Sequence, residues 1–321
     1  MRAVIAALAV NLVIAVAKFI AFLLTGSASM LAESVHSVAD TGNEVLLLIG
    51  RGRSRRARTL EHPFGYARER YFYSFVVAVM LFTVGAAFSV YDGVHKIMSP
   101  GPVESPAVAF VVLGVSVMLE AFSLRTAITE ANSSRGAMGW REFVHSTKSA
   151  ELPVVLMEDL AALIGLCFAF LGVLLSVLTG DGAWDGVGSV LVGLLLGGAA
   201  FIVGYETKSL LIGEAASPEV SASIVSALES GPEGFTVIHL RTAHVGPESL
   251  LVTVKIAVPP EMLAADLAAG IDAAEARIRA VAPIAETIYL EPDIYRPDRE
   301  NDADPSVEVV RRSRGIRHRR A

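Results

Sequence analysis

The sequence predicts an α-helical membrane protein, with six transmembrane helices followed by a cytoplasmic α+β ferredoxin-like domain. Three observations predict it. Long apolar stretches fill the chain up to about residue 212, in a protein that is 53% hydrophobic, 19% charged and has a mean hydropathy of +0.54. Basic residues collect in alternate connections between those stretches. Beyond residue 212 the pattern changes to the alternation and charge density of a water-exposed fold.

A bilayer core asks for roughly 20 consecutive apolar residues. Six segments meet this, near 3–24, 29–50, 72–97, 106–128, 152–179 and 186–211. The first is too long for a signal peptide, is interrupted by Lys18 and precedes no small-residue cleavage site, so it reads as a retained helix. Segment 51–70 carries Arg51, Arg53, Arg55, Arg56, Arg58, Arg68 and Arg70, and the connection after the fourth helix adds Arg135, Arg141 and Lys148. The connections at 25–28, 98–105 and 180–185 carry no Lys or Arg. The positive-inside rule then puts 51–70 and 129–150 in the cytoplasm, and with six helices both termini as well. The domains expected are 1–212 in the membrane, 213–296 in the cytoplasm, and a basic tail at 297–321 that is disordered or touches anionic head groups. In the cytoplasmic domain a Pro-started helix over 217–229 precedes strands at 234–243 and 249–258, joined by a Gly-Pro turn. A helix at 261–282 and a strand at 286–291 complete a βαβ element.

Ionisable residues inside a membrane are costly, so each is a candidate for function. The second helix holds Glu33, His36, Asp40, Asn43 and Glu44. His36 and Asp40 are four apart and share one face near mid-span. An imidazole and a carboxylate suit Zn²⁺. The fifth helix holds Glu158 and Asp159, whose directions differ by about 100°. One can coordinate metal while the other faces a neighbouring helix or a proton path. Two carboxylates, one His and one more oxygen would make a four-ligand site between the second and fifth helices. Glu44 lies one turn nearer the cytoplasm. Glu120 in the fourth helix carries protons or pairs with Arg125, and Lys18 snorkels or pairs with a carboxylate. The lone Cys167 excludes an intrachain disulfide and a Cys-based metal site. With no P-loop, dinucleotide turn or strand–Ser–helix elbow, neither an enzyme nor an ATP-driven pump is expected. An ion gradient is the expected energy source, and no nucleic-acid partner is expected.

Four phrases carry a family resemblance: GSASMLAESVHSVADTGNEVLLL, HPFGYARERYFYSF, EDLAALIG and DGVGSVLVGLLLG. Over about residues 1–293 the chain resembles the cation diffusion facilitators, six-helix zinc transporters with a cytoplasmic ferredoxin-like domain. SLLIGE after the sixth helix is similar to the mitochondrial and nuclear-receptor-coactivator type within that family. The resemblance implies a homodimer and four ligands, two from the second helix and two from the fifth, each pair spaced by four. His36 and Asp40 match the first pair and Asp159 the last ligand. Val155 stands where its partner would be, which leaves Glu158 as the nearest fourth ligand. One His with more carboxylate is a harder donor set, so Mn²⁺, Co²⁺ and Fe²⁺ become alternatives to Zn²⁺. At the accessory sites His62 matches and Tyr66 replaces the second His. In the cytoplasmic domain Ile238, Val254, Tyr289 and Glu291 stand at ligand positions, and only Glu291 could bind. His239 and His244 are expected to be solvated strand residues. Arg68 matches a basic residue that ties the membrane part to a carboxylate below the sixth helix, with Glu214 as the expected partner.

The function expected is secondary efflux of a divalent cation, Zn²⁺ first, by proton antiport with alternating access. The rivals are a Mn²⁺, Co²⁺ or Fe²⁺ exporter, and a non-transporting membrane protein with a regulatory or interaction role. The second rival gains if His36 and Asp40 do not meet Asp159. Because no transit peptide is recognised, a prokaryotic inner membrane is the expected location.

Overall fold

The computed structural model describes residues 2–25, 28–101 and 105–294, with backbone alone for 25, 28–33, 35, 141, 145 and 146. The Glu33 side chain and the basic tail at 297–321 lie outside the described residues. The chain forms two units, Met1–Leu211 and Ile212–Ala321.

The first unit is helical. Its elements are α1 (Arg2–Thr25), α2 (Ala28–Ser54), α3 (Glu69–Met80), α4 (Phe88–Met98), α5 (Pro106–Arg135), the short α6 (Trp140–Ser146), α7 (Glu151–Thr179) and α8 (Ala183–Ile212). Seven residues, Leu81–Ala87, join α3 to α4 in π-helical geometry, so the two form one span, Glu69–Met98. Among the described residues, five helices are long and apolar enough to cross a membrane: α1, α3–α4, α5, α7 and α8. The other segment expected to span, α2, is long enough at 27 residues but too polar to meet that standard. Its polarity points inward. Ser34, Ser37, Asn43 and Glu44 are buried, while Val38, Val45 and Ile49 are exposed. A helix with its apolar side outward and its polar side inward fits a lipid surround, where polar groups find partners only inside the bundle.

The helices approach closely because small residues line their contacts. Ala3 and Ala7 of α1 meet Ala127 and Ala131 of α5 in one cluster with Leu47, Val77, Val154 and Val155. The glycines of the DGVGSVLVGLLLG phrase have a similar purpose. A Cβ on Gly93 would stand 2.6 Å from the Gly186 carbonyl oxygen, so α4 and α8 touch backbone to backbone there. A Cβ on Gly172 would meet the Trp184 carbonyl at 2.9 Å, the same kind of contact between α7 and α8. Helix α7 stops at Gly180, whose φ of 76° is the left-handed turn that closes a helix end.

The second unit consists of α9 (Pro218–Glu229), β1 (Thr236–Gly246), β2 (Ser249–Ala257), α10 (Ala264–Val281) and β3 (Thr287–Asp293). Ser217 caps α9 by accepting from the Val220 amide, with Pro218 at the first helical position. β1 and β2 form an antiparallel hairpin, and β3 pairs parallel to β2 after the α10 crossover. The sheet order is β1-β2-β3. Leu250, Val252, Val254 and Ile256 alternate into a core with Ile224, Leu228, Phe235 and Ile278, which places both helices on one face of the sheet. The expected strands and helices are all present within a few residues. One expectation fails. His244 is not solvated but buried, with Nδ1 3.4 Å from the Gly246 carbonyl oxygen, because it lies two pleats beyond core-facing Leu240 on the same side of β1 and pairs with buried Leu250 of β2.

Candidate metal centre

A cavity of about 320 Å³ opens inside the helical unit. His36 and Asp40 of α2 line it together with Glu158 and Asp159 of α7. The four candidate ligands from two helices therefore face one space. His36 Nε2 lies 3.7 Å from Asp40 Oδ2, and their side chains keep 18% and 24% exposure. Asp159 is buried and accepts a 2.8 Å hydrogen bond from Ser123 Oγ of α5. Glu158 is buried and accepts a 2.8 Å hydrogen bond from Asn43 Nδ2 of α2. The 100° between neighbouring helical positions thus turns Asp159 toward α5 and Glu158 toward α2, while both border the cavity. Among the described residues, no three His, Cys, Asp or Glu side chains are gathered closely enough to hold one ion as they stand. Gripping a metal requires side-chain rotation or closure of the helices.

Val155, one turn before Asp159, is fully buried in the apolar cluster at 0% exposure. The departure from a four-spaced ligand pair on α7 is therefore built into the packing.

The accessory candidates divide. Glu120 of α5 is buried and lines the same cavity, and the cation in electrostatic reach is Lys18 of α1 rather than Arg125. Lys18 is itself buried, so it does not snorkel. Glu44 is buried behind the cavity wall and accepts from Asn11 Nδ2 at 3.1 Å. His62 lies in the connection between α2 and α3, its ring 4.5 Å from that of Tyr66. Glu291 is largely exposed on β3 and forms a 3.2 Å ion pair with Lys255, which also reaches Asp293 at 3.1 Å. Arg68 precedes α3, and Glu214 lies between α8 and α9 with its carbonyl accepting from the His244 amide.

Several polar residues of this region escaped sequence reasoning. Asn11, Ser116 and Lys96 line the cavity with the carboxylates. Lys96 Nζ lies 2.8 Å from Asp92 Oδ2 and 3.1 Å from Asp185 Oδ2. Arg70 binds Glu151 through two nitrogens and Ser149 through one, which ties α3 to α7 at the end that carries the basic connections. The signal available was the charge of Glu151 just before the fifth apolar segment. The π-helical stretch had no sequence signal. Its Gly85 stands where a Cβ would be 3.7 Å from His36 Cε1, so the irregular turn packs against the ligand imidazole.

Residues 4–212 match the cation efflux transmembrane domain. The chain belongs to the cation efflux family. It is 35% identical over 247 residues to the proton-coupled zinc antiporter SLC30A9, mitochondrial, of Xenopus laevis, covering 76% of this chain and 44% of that protein. It is 31% identical over 250 residues to metal tolerance protein C4 of Arabidopsis thaliana, covering 77% of this chain and 55% of that one. The magnetosome protein MamB of Paramagnetospirillum magneticum is 25% identical over 274 residues, with 84% and 85% of the two chains covered. The chain thus spans about half the length of the antiporter and tolerance proteins that it matches, and most of the length of the magnetosome protein. The matched residues include the inward-turned polar face of α2 and the carboxylates of α7.

Proposed function

We propose that this protein exports a divalent metal cation, Zn²⁺ first among them, in exchange for protons. His36, Asp40, Asp159 and Glu158 are the ligands. The observation that carries the reading is the single cavity in which the α2 pair and the α7 pair face each other. Buried carboxylates without a cation are expensive, and a doubly charged substrate offsets that cost. The names of the antiporter and tolerance relatives support a metal substrate, and the first of them supports zinc and proton coupling.

The donor set explains the coupling. An imidazole and carboxylates bind metal only when free of protons, so metal and protons compete for the same atoms. An imidazole ordinarily titrates near neutral pH, which makes His36 the group most easily switched by a modest gradient. The cavity extends from the ligands to Lys96, Gly101, Gly182 and Asp185. These lie at the connections without basic residues, which we assign to the release side. Alternating access then closes this end and opens the other. The family resemblance favours a homodimer, and the bias of Arg and Lys between connections favours both termini in the cytoplasm, with an inner membrane as the proposed location.

One observation favours a harder metal. Val155 removes the second nitrogen ligand, and Glu158 supplies oxygen in its place. A competition series of Zn²⁺, Mn²⁺, Co²⁺ and Fe²⁺ in proteoliposomes ranks them. The site itself is tested by Asp40→Ala and Asp159→Ala in inverted vesicles. Both should abolish metal uptake while the protein still reaches the membrane. Undiminished uptake in either would overturn the assignment.

A further inference from the structure

The wall of the cavity nearest the basic connections hides a second set of oxygen atoms. Glu44 lies four residues beyond Asp40 on α2, about 6 Å along the helix axis, and is 0% exposed. Asn43 and Glu158 are buried beside it, joined by the 2.8 Å amide-to-carboxylate hydrogen bond. Glu44 and Glu158 stand within electrostatic reach of each other. Each is held through one oxygen by an asparagine: Asn11 donates to Glu44 Oε1 and Asn43 to Glu158 Oε1. The remaining acceptors, Glu44 Oε2, Glu158 Oε2 and Asn43 Oδ1, are buried and have no hydrogen-bond partner.

Two carboxylates and an amide oxygen, all buried and all with unused lone pairs, are an oxygen donor set of the kind that holds a hard divalent cation. Two asparagines orient the carboxylates by their amide hydrogens, as outer-shell partners do around metal ligands. The position also has meaning. Glu158 lines the cavity, whereas Leu47 and Val155 belong to the apolar cluster that lies toward the basic connections. The set therefore lies between that apolar cluster and the cavity. When the helices part at that end, it is met before His36.

We propose that Glu44, Asn43 and Glu158 form a second cation station, one helical turn from the His36–Asp40 pair, with Glu158 shared between the two. It takes the transported divalent ion on entry and passes it to the histidine-containing site. This rests on the central site proposed above, and the experiment separates the two.

The probe is Mn²⁺, a hard ion suited to oxygen ligands. Mn²⁺ bound per chain is measured by equilibrium dialysis on the full chain in detergent, for wild type, Glu44→Gln, and His36→Ala/Asp40→Ala with and without Glu44→Gln. Glutamine keeps the oxygen that accepts from Asn11, so the fold should survive, and a melting curve checks it. The His36→Ala/Asp40→Ala chain should retain one Mn²⁺ that Glu44→Gln removes. In vesicles Glu44→Gln alone should raise the transport KM roughly 10- to 100-fold. Unchanged Mn²⁺ stoichiometry together with an unchanged KM would overturn the station and leave a structural carboxyl pair. If Glu44→Gln fails to fold, Asn43→Asp serves instead. An added anion should tighten Mn²⁺ binding, and binding no tighter than wild type would also overturn the station. Transport lost in Asp40→Ala while Glu44→Gln behaves as wild type sinks only the inner station. Transport intact in Asp40→Ala sinks the central site, and the Mn²⁺ count then decides the station separately.

Discussion

Asp159 owes its direction to a hydroxyl. Ser123 Oγ donates to Asp159 Oδ2 from the neighbouring α5, which fixes the rotamer of a side chain that lines the cavity. Removing an outer-shell hydrogen bond of this kind weakens metal affinity by roughly 10-fold or more. Ser123→Ala should therefore raise the metal KM in inverted vesicles by about that factor with an unchanged melting temperature. A shifted melting temperature with unchanged KM would make the bond merely structural. Outside the membrane part, Arg277 forms two hydrogen bonds to Glu233, at 3.0 and 2.9 Å. They hold the Glu233 carboxyl below the ordinary glutamate range. A depressed folded value means the pair stabilises the second unit above the unfolded value near pH 4, and that contribution disappears as pH falls through the folded value. A carboxyl-carbon NMR titration should place Glu233 below ordinary glutamates, and Arg277→Ala should return it toward them and flatten the acid limb of stability.

Among elements, the glycine contacts of α8 decide how near its neighbours can come. Gly93→Val would drive a side chain into the Gly186 carbonyl and the Val190 amide. Backbone atoms cannot yield as a flexible side chain can, and overpacking of this kind costs about 1–3 kcal/mol. Its melting temperature in detergent should fall. Gly114→Ala on α5 is the control, since a Cβ there meets nothing within 4 Å. Alanine is up to about 1 kcal/mol better than glycine inside a helix, so that variant should melt no lower than wild type. Equal behaviour of the two would contradict backbone contact between α4 and α8. The π-helical turn of Leu81–Ala87 belongs to this scale too. It shifts the register of the third span beside His36, an adjustment that no residue pattern in LFTVGAA announces.

At the scale of the molecule, the proposed direction of transport depends on which end of the helical unit faces the cytoplasm. The basic connections and the end of the cavity lined by Lys96, Gly101, Gly182 and Asp185 lie at opposite ends of the spans. In a Cys167→Ser background, Arg58→Cys should resist a membrane-impermeant maleimide added to intact cells, whereas Asp181→Cys should react. The reverse pattern would invert the proposed direction of export.

Sequence alone determined the properties that depend on short stretches of chain. Span length, the bias of Arg and Lys between connections, the strands of the second unit and the His36–Asp40 face all follow from local periodicity, which repeats along an element regardless of its neighbours. Even α2, too polar to pass as a span by composition, was legible, because its polar residues recur on one side. Tertiary structure decided which neighbour each polar group meets. Two adjacent carboxylates could not be sorted from the sequence. Asn43, 115 residues away in the chain, draws Glu158 to α2, and Ser123 draws Asp159 to α5. Lys18 was left between two fates, and burial near Glu120 settled it. His244 looked solvated until its pairing with buried Leu250 put it on the core face of the sheet. In each case the deciding partner lies on another element. Periodicity identifies the face that must be buried, and only packing supplies the atom that it meets.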